Sequence, residues 1–224
     1  MSCEEADLSH SIHTISDFEY WWSLPGDWVE PPNERRGGWS GVVRAEVNGR
    51  ILYIKRQLNH LYRNLRHPFG HPTVSREWHY LCALESLGIP APRPVFHQAR
   101  RTRGGVEAVL ATEALDGYRA MSEFGSLPTE QRVLLARKLG TLLGRLHRAR
   151  LQHSCLYDKH VMIRPNGEGE LDVALLDLEK MRPRLTRNRA ARHDLSQLRR
   201  RQSLLDDQDW RVLMEAHARQ IDSV

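Results

Sequence analysis

Residues 42–55 read VVRAEVNGRILYIK and give the first firm element of the architecture. Two runs rich in apolar residues, 42–47 and 51–55, flank Asn48-Gly49. That dipeptide best tolerates the positive φ angles of a two-residue type I′ turn, so the segment predicts an antiparallel β-hairpin. The second strand ends on Lys55, which places a cation at the end of a sheet strand.

Further elements follow from apolar periodicity and from turn residues. A helix over 74–87 is expected to begin at a cap provided by Thr73 or Ser75 and to end at Gly88. The remaining predictions are a strand at 106–115, a helix at 129–150, strands at 161–164 and 171–176, and a polar helical region beyond. Strands early and helices late predict an α+β fold in two lobes.

Two local patterns complete this interpretation. Residues 56–72 are basic, aromatic and interrupted by proline, which predicts irregular structure. Asp194-Leu195-Ser196-Gln197 has the spacing of a capping box, with Asp194 as the N-cap and Gln197 at N3.

The composition excludes several classes of protein. The 224 residues are 40% hydrophobic and 27% charged, and no apolar run is long enough to span a membrane. The first 14 residues are polar and acidic, unlike a secretory signal, which favours the cytoplasm. Three cysteines without metal-like spacing, Cys3, Cys82 and Cys155, favour free thiols.

A phosphoryl-transfer site needs a cation for the phosphates, a carboxylate for Mg²⁺ and a group that positions the acceptor hydroxyl. Lys55 ends a strand, Glu77 lies near the start of the next predicted helix, and Asp177 ends an apolar strand. Each residue alone is a weak signal, because strand-end lysines and aspartates are common at surfaces. Their order along the chain, each in a fitting element, indicates a kinase-like nucleotide site.

The sequence resembles the lipopolysaccharide kinase (Kdo/WaaP-like) family, and within it the InaA branch of bacterial proteins inducible by weak acid. The similarity extends from about Trp21 to Trp210. The segments that carry it are Gly26–Glu30, Tyr53–Arg56, Arg66–Thr73, Arg76-Glu77, His153–His160 and Leu176–Lys180.

The resemblance implies a bilobal protein-kinase-like fold, with a small β-rich N-lobe and a helical C-lobe, that binds ATP and Mg²⁺. It implies an N-terminal extension (1–35) packing on an N-lobe (36–115), followed by a C-lobe (116–224). It implies that Lys55 contacts the α- and β-phosphates of ATP, that Glu77 anchors Lys55, and that Asp177 binds the metal ion. The strand that ends near Glu113 would lead to the adenine contacts, and Asp194 would hold the backbone of the catalytic loop.

The catalytic loop departs from the family pattern. Where active relatives have His-Arg-Asp or His-Gly-Asp, this chain has His153-Ser154-Cys155, and His160 replaces a metal-binding asparagine. Cys155, Asp158 and His160 are therefore the catalytic candidates, with Asp158 as a substitute for the missing base. Two functions stay open: a weak ATP-dependent kinase for a sugar or glycolipid hydroxyl, and a non-catalytic, pseudokinase-like stress-response or sensor protein.

Basic and aromatic clusters bear on partners. Two basic regions are the segment Arg56–His71 and the arginines between Arg182 and Arg201. They could bind an anionic glycolipid, a phosphorylated small molecule or the inner-membrane surface. The alternative is that the first packs on the N-lobe and the second is a solvated helix face. Beyond charge, no motif indicates nucleic-acid binding. Trp21, Trp22, Trp28 and Trp39 read as a hydrophobic brace for the N-lobe in preference to a sugar-stacking platform.

Overall fold

The computed structural model describes residues 17–35, 37–65, 67–166 and 169–222. Cys3, Arg66, Gly167 and the first 16 residues of the predicted N-terminal extension lie outside the described residues. The chain divides into two compact units, and the first comprises residues up to His79 together with Arg93–Ala114. The second comprises Tyr80–Pro92 and Leu115 onward. Strands dominate the first unit and helices the second, which confirms the predicted α+β class.

The first unit is built on a five-stranded antiparallel sheet of order β1-β2-β3-β7-β6. Its elements are α1 (Phe18–Ser23), β1 (Asp27–Arg35), β2 (Gly38–Val47), β3 (Arg50–Leu58), β4 (Leu61–Tyr62), β5 (His71–Pro72), the start of α2 (Thr73–Ser86), β6 (Pro94–Thr102) and β7 (Gly105–Glu113). The β2–β3 hairpin is confirmed, and Asn48 and Gly49 take φ angles of 52° and 72° in its turn.

The N-terminal helix α1 closes one face of this sheet. Phe18 and the fully buried Trp21 pack in a cluster with Leu52, Ile54 and Val109 of β3 and β7. Trp21 also stacks on Phe96 of β6, with ring centroids 5.5 Å apart. Trp21 is therefore a brace for the sheet, as the sequence predicted.

Different hydrogen bonds stabilise the two ends of helix α2. Gly88, at φ 62°, follows its last turn, where the N–H groups of Gly88 and Ile89 donate to the carbonyls of Glu85 and Leu84. This pattern is a Schellman motif, which confirms the predicted stop. The start was expected to be capped by Thr73 or Ser75, but Oε1 of Gln57, on strand β3, accepts the N–H of Val74 instead.

Other predictions for this unit were wrong. The region 56–72 is less irregular than expected, because β3 continues to Leu58 and the short pair β4–β5 follows. Strands β1 and β6 were missed. Pro31-Pro32 lies within β1, which pairs only with β2 at the sheet edge and has two register shifts, so the strand tolerates prolines that a central strand would not.

The second unit is mainly helical. Its elements are the end of α2, β8 (Arg119–Ala120), α3 (Thr129–Arg148), β9 (Leu151–Gln152), β10 (Val161–Pro165), β11 (Leu171–Leu175), β12 (Arg182–Pro183), α4 (Arg187–Arg201) and α5 (Asp207–Ile221). Strands β11, β10 and β8 form one small sheet, and β12 pairs with β9. Helix α3 carries the predicted apolar stripe, and Leu135, Leu139 and Leu143 are fully buried.

The predicted capping box at Asp194 was wrong. Asp194 lies in the middle of α4, which begins after its N-cap Thr186, and it is fully buried. The capping box of this region is at the start of α5, where Asp206 and Asp209 satisfy each other's backbone N–H groups. No helix within the described ranges has the length and apolar character needed to cross a bilayer.

Candidate functional site

Lys55 and Glu77 form an ion pair in the first unit. Nζ of Lys55 lies 3.0 Å from Oε2 of Glu77, and both side chains are largely buried, at 19% and 13% exposure. Strand β3 carries the lysine and helix α2 the glutamate. A partly buried ion pair holds its two side chains in one geometry far better than an exposed pair, so the ammonium has a defined position.

A second contact fixes the same helix on the same strand. Gln57, two residues after Lys55 and 1% exposed, donates from Nε2 to Oγ1 of Thr73 at 2.8 Å. Side chains two apart share a face of a strand, and residues four apart share a face of a helix. Lys55 and Gln57 therefore meet Glu77 and Thr73 at two points. Sequence reasoning missed Gln57, although its spacing from Lys55 was the available signal.

Glu113 is the last residue of β7 and makes structural contacts. Its Oε1 lies 2.8 Å from Nη1 of Arg50 and 3.7 Å from Nη1 of Arg93. Its backbone N–H donates to the carbonyl of Arg93. Two arginines therefore hold the carboxylate of Glu113. That the backbone near Glu113 contacts adenine stays a prediction.

In the second unit, Asp194 anchors the loop that follows β9. Its carboxylate accepts the backbone N–H groups of His153 at 2.6 Å and Ser154 at 2.9 Å. Ser154 has a left-handed φ of 70°, an unfavourable conformation for a residue with a side chain, so the loop needs such support. Burial alone would raise the pKa of Asp194, but hydrogen bonds from His147 and Ser154 hold that pKa below its usual range.

A buried chain of hydrogen bonds continues from Asp194 into the last helix. Nε2 of His147 lies 3.3 Å from Oδ2 of Asp194, and Nδ1 of His147 lies 2.8 Å from Nε2 of His217 on α5. Burial first, and the electrostatic effect of His147 second, lower the pKa of His217 to about 4. The Nε2–H of His147 donates to the carboxylate of Asp194, and one ring N–H forms the hydrogen bond between His147 and His217.

His153 joins this loop to the segment after β11. Its Nε2 donates to the carbonyl of Leu176 at 3.0 Å, while its Nδ1 accepts the N–H of Cys155 at 3.3 Å. Burial lowers the pKa of His153, which keeps the ring neutral in this arrangement. The imidazole of His153 therefore links the backbone at Cys155 to the backbone at Leu176, the residue before Asp177.

Cys155 is 4% exposed, and Lys180 is its neighbour. The pairing of β12 with β9 and the bond from Nε of Arg182 to Oγ of Ser154, at 3.0 Å, bring the segment that contains Lys180 alongside the loop. The charge of Cys155 and its hydrogen bond to Lys180 raise the pKa of Lys180. Lys180 was missed as a functional candidate, because only the strand pairing brings it to Cys155.

His160 and Asp177 meet on the other side of the loop. Nδ1 of His160 donates to the carbonyl of Cys155 at 2.7 Å, which leaves Nε2 facing Oδ2 of Asp177 at 3.4 Å. A cation between these two atoms would make the contact attractive. Asp177 also has a left-handed φ of 61°, a conformation that aspartate tolerates better than most residues and that occurs in turns and at functional sites.

The other candidate groups have mainly local contacts. Oδ1 of Asp158 accepts the backbone N–H of Lys159 at 2.9 Å, a turn contact. Of the arginine-rich region, Arg184 bonds Gln152 and Arg187 bonds the carbonyl of Ile221, so part of that charge is structural. Across the described ranges, no cluster of three or more histidine, cysteine or acidic side chains could hold a metal ion.

Comparisons with known proteins identify the family of this chain. The sequence model of the lipopolysaccharide kinase (Kdo/WaaP) family matches residues 19–217. Protein InaA of Escherichia coli strain K12 is 36% identical over 200 residues, which cover 87% of this chain and 92% of that protein. A solved structure of WaaP in complex with acyl carrier protein has a TM-score of 0.70 at 21% identity and covers 90% of this chain and 82% of that chain, so it shows a shared fold.

Proposed function

The chain belongs to the lipopolysaccharide kinase (Kdo/WaaP) family, and from this premise we propose that it binds ATP with Mg²⁺ and transfers a phosphoryl group to a sugar or glycolipid hydroxyl. The transfer is slow, because Cys155 stands where active relatives have an aspartate. We place the protein in the cytoplasm, in peripheral contact with the inner membrane, where an anionic glycolipid is the acceptor. A phosphorylated small molecule is the second acceptor class, and the acyl carrier protein bound to WaaP is a candidate partner.

The observation that carries the proposal is the ion pair between Lys55 and Glu77. The strand was expected to end on Lys55, but Lys55 lies inside β3, and its ammonium is held 3.0 Å from a largely buried carboxylate. Gln57 fixes the start of the same helix on the same strand. A lysine positioned in this way suits charge stabilisation on phosphate oxygens, which is most of what phosphoryl transfer asks of a protein.

The carboxylate of Asp177 suits Mg²⁺, whose other ligands would be phosphate oxygens and water. Oδ2 of Asp177 and Nε2 of His160 face each other at 3.4 Å, an arrangement that a metal ion would relieve. Asp177 would hold the ion, and His160, fixed through Nδ1, would limit how the carboxylate turns. A bound Mg²⁺ supplies charge neutralisation for the phosphates.

Cys155 would act on the acceptor hydroxyl. A cysteine accepts a proton only as its thiolate, and Lys180, which is hydrogen-bonded to Cys155, stands where it could pair with that charge. The burial of Cys155 limits that contact, and a loose transition state depends more on positioning and charge than on a base. Weak turnover is the expected result.

A second candidate function rests on the same residue. Because Cys155 is buried and bonded to Lys180, the loop also suits a non-catalytic scaffold that binds nucleotide or another ligand in a stress response. This alternative predicts binding without turnover. It shares the nucleotide site with the kinase proposal and differs from it only at the chemical step.

The test combines binding and turnover. Purified protein is heated with and without Mg-ATP, and ATP hydrolysis is followed in parallel. We expect Mg-ATP to raise the melting temperature of the wild type, and Lys55→Met or Asp177→Asn to remove most of that shift. Asp172→Asn is the matched control, because Asp172 pairs with the exposed Arg164 on the small sheet. A wild type that gains no thermal stability from Mg-ATP would refute the nucleotide proposal.

A further inference from the structure

The loop between β4 and β5 presents two apolar side chains to solvent. Leu65 is 103% exposed and Phe69 is 87% exposed, the two largest values among the exposed large hydrophobic residues of the described chain. Single exposed apolar side chains are ordinary on soluble domains, whereas two large ones on one short loop can make a joint contact with another surface. They lie four residues apart on one short loop, so they can enter such a surface together.

The base of this loop is ordered by its own contacts. The rings of His67 and His71 stack with centroids 4.4 Å apart, and Tyr62 meets both edge-on. The N–H of His67 donates to Oδ1 of Asn64 at 2.8 Å, and the N–H of Gly70 donates to the carbonyl of His67 at 3.1 Å, which closes a turn that contains Phe69. Phe69 is therefore displayed by a formed turn, and ordering it on contact requires little further loss of entropy.

The charge around the loop has one sign. Residues 59–76 contain three arginines and no aspartate or glutamate. Arg63 is exposed on the loop itself, and the guanidinium of Arg76 lies 4.2 Å from the ring centre of Tyr62 at the loop base. A basic segment around exposed apolar side chains complements a surface that is anionic outside and apolar beneath.

We propose that this loop docks on an anionic lipid bilayer, with Leu65 and Phe69 entering the boundary between headgroups and acyl chains and Arg63 contacting lipid phosphates. A bilayer fits better than a protein because two projecting side chains are far less than the roughly 800 Å² that each partner buries in a stable protein interface. A bilayer needs no complementary shape to receive them. The inference rests on the proposed function for its purpose, since it brings the chain to a membrane-borne acceptor.

Vesicle co-sedimentation tests the proposal on the full chain. The probes are vesicles of phosphatidylcholine alone and of phosphatidylcholine mixed with phosphatidylglycerol. We expect the wild type to bind the mixed vesicles more strongly. Leu65→Ser combined with Phe69→Ser should lower the partition coefficient at least about tenfold, because both apolar contacts are lost. Arg63→Gln should lower it about fivefold, and added salt should weaken the binding.

Val29→Ser is the matched control, because Val29 is 51% exposed on β1 in a stretch, residues 27–34, that contains no lysine or arginine, and it should bind as the wild type does. The thermal shift with Mg-ATP is measured on every variant, so a loss of membrane binding is distinguished from a failure of the nucleotide site. The proposal is overturned if the wild type does not bind mixed vesicles, or if the double variant binds them fully. Retention of the wild type on a small acidic protein, without vesicle binding, would assign the loop to a protein partner and equally overturn it.

Discussion

Asp194→Asn isolates the support of the catalytic loop. The carboxylate is fully buried and accepts from the backbone N–H groups of His153 and Ser154 and from Nε2 of His147. An amide has one oxygen and one NH₂ group, so at least one of these donors would face another donor. The substitution keeps the size of the side chain and changes only its charge and hydrogen-bonding pattern.

The expected loss follows from these contacts. Hydrogen bonds to a charged group contribute about 1.5–3 kcal/mol each, and a buried donor left without a partner adds its own cost of about 1–3 kcal/mol. One lost bond, an opposed donor and the weakening of the remaining bonds together give a loss of about 3–5 kcal/mol in the free energy of unfolding. This is a large part of the total stability of a typical domain, which is about 5–15 kcal/mol.

Equilibrium unfolding in urea at neutral pH, followed by circular dichroism, measures this loss. Asp172→Asn is the control and should lose less than about 1 kcal/mol, because Asp172 makes an exposed ion pair. A loss below about 1 kcal/mol for Asp194→Asn would refute the reasoning that the buried carboxylate holds the loop. Turnover should fall in this variant even under conditions where it remains folded, since Ser154 and Cys155 lose their support.

Three further predictions address other parts of the chain. The pKa of His217 in the folded state is about 4, below its usual 6.5, so between these pH values the folded state binds fewer protons than the unfolded state. The free energy of unfolding should therefore be greatest above about pH 6.5 and fall by up to about 3 kcal/mol towards pH 4. His217→Gln should flatten this dependence in urea titrations at several pH values. Cys155→Asp should raise Mg-ATP turnover about 10²-fold or more by restoring a base, and no gain over the wild type would favour the non-catalytic function. Gly140→Ala would place a Cβ 2.2 Å from the carbonyl oxygen of Leu213 and should lower stability by about 1–3 kcal/mol in thermal unfolding, whereas Gly125→Ala meets open space and should not.

Local patterns predicted the elements that local physics determines. The Asn48-Gly49 turn, the stop of α2 at Gly88 and the apolar stripe of α3 each depend on residues that are close in sequence. Strands β1 and β6 escaped prediction, because an edge strand with two prolines and a strand of mixed polarity have weak periodic patterns. Pairing with β2 and β7 supplies what their own sequences lack.

Long-range contacts explain the misassigned and missing residues of the candidate site. Asp194 has the spacing of a capping box, but its partners lie 40 and 41 positions earlier in the chain. Gln57 and Lys180 gain their roles only when β3 meets α2 and when β12 meets β9. The roles assigned to Lys55, Glu77 and Asp177 came from their order in the chain, and they stay predictions until binding is measured.

The buried histidine chain between α5 and the loop after β9 offers an internal reporter. Its imidazole N–H protons are shielded from solvent and engaged with His147 and Asp194, so they should exchange slowly and resonate far downfield in a proton NMR spectrum. Such signals would be visible without substrate, nucleotide or label. Their loss in a variant would show that the loop has detached from its helix, and their persistence would place a functional defect elsewhere.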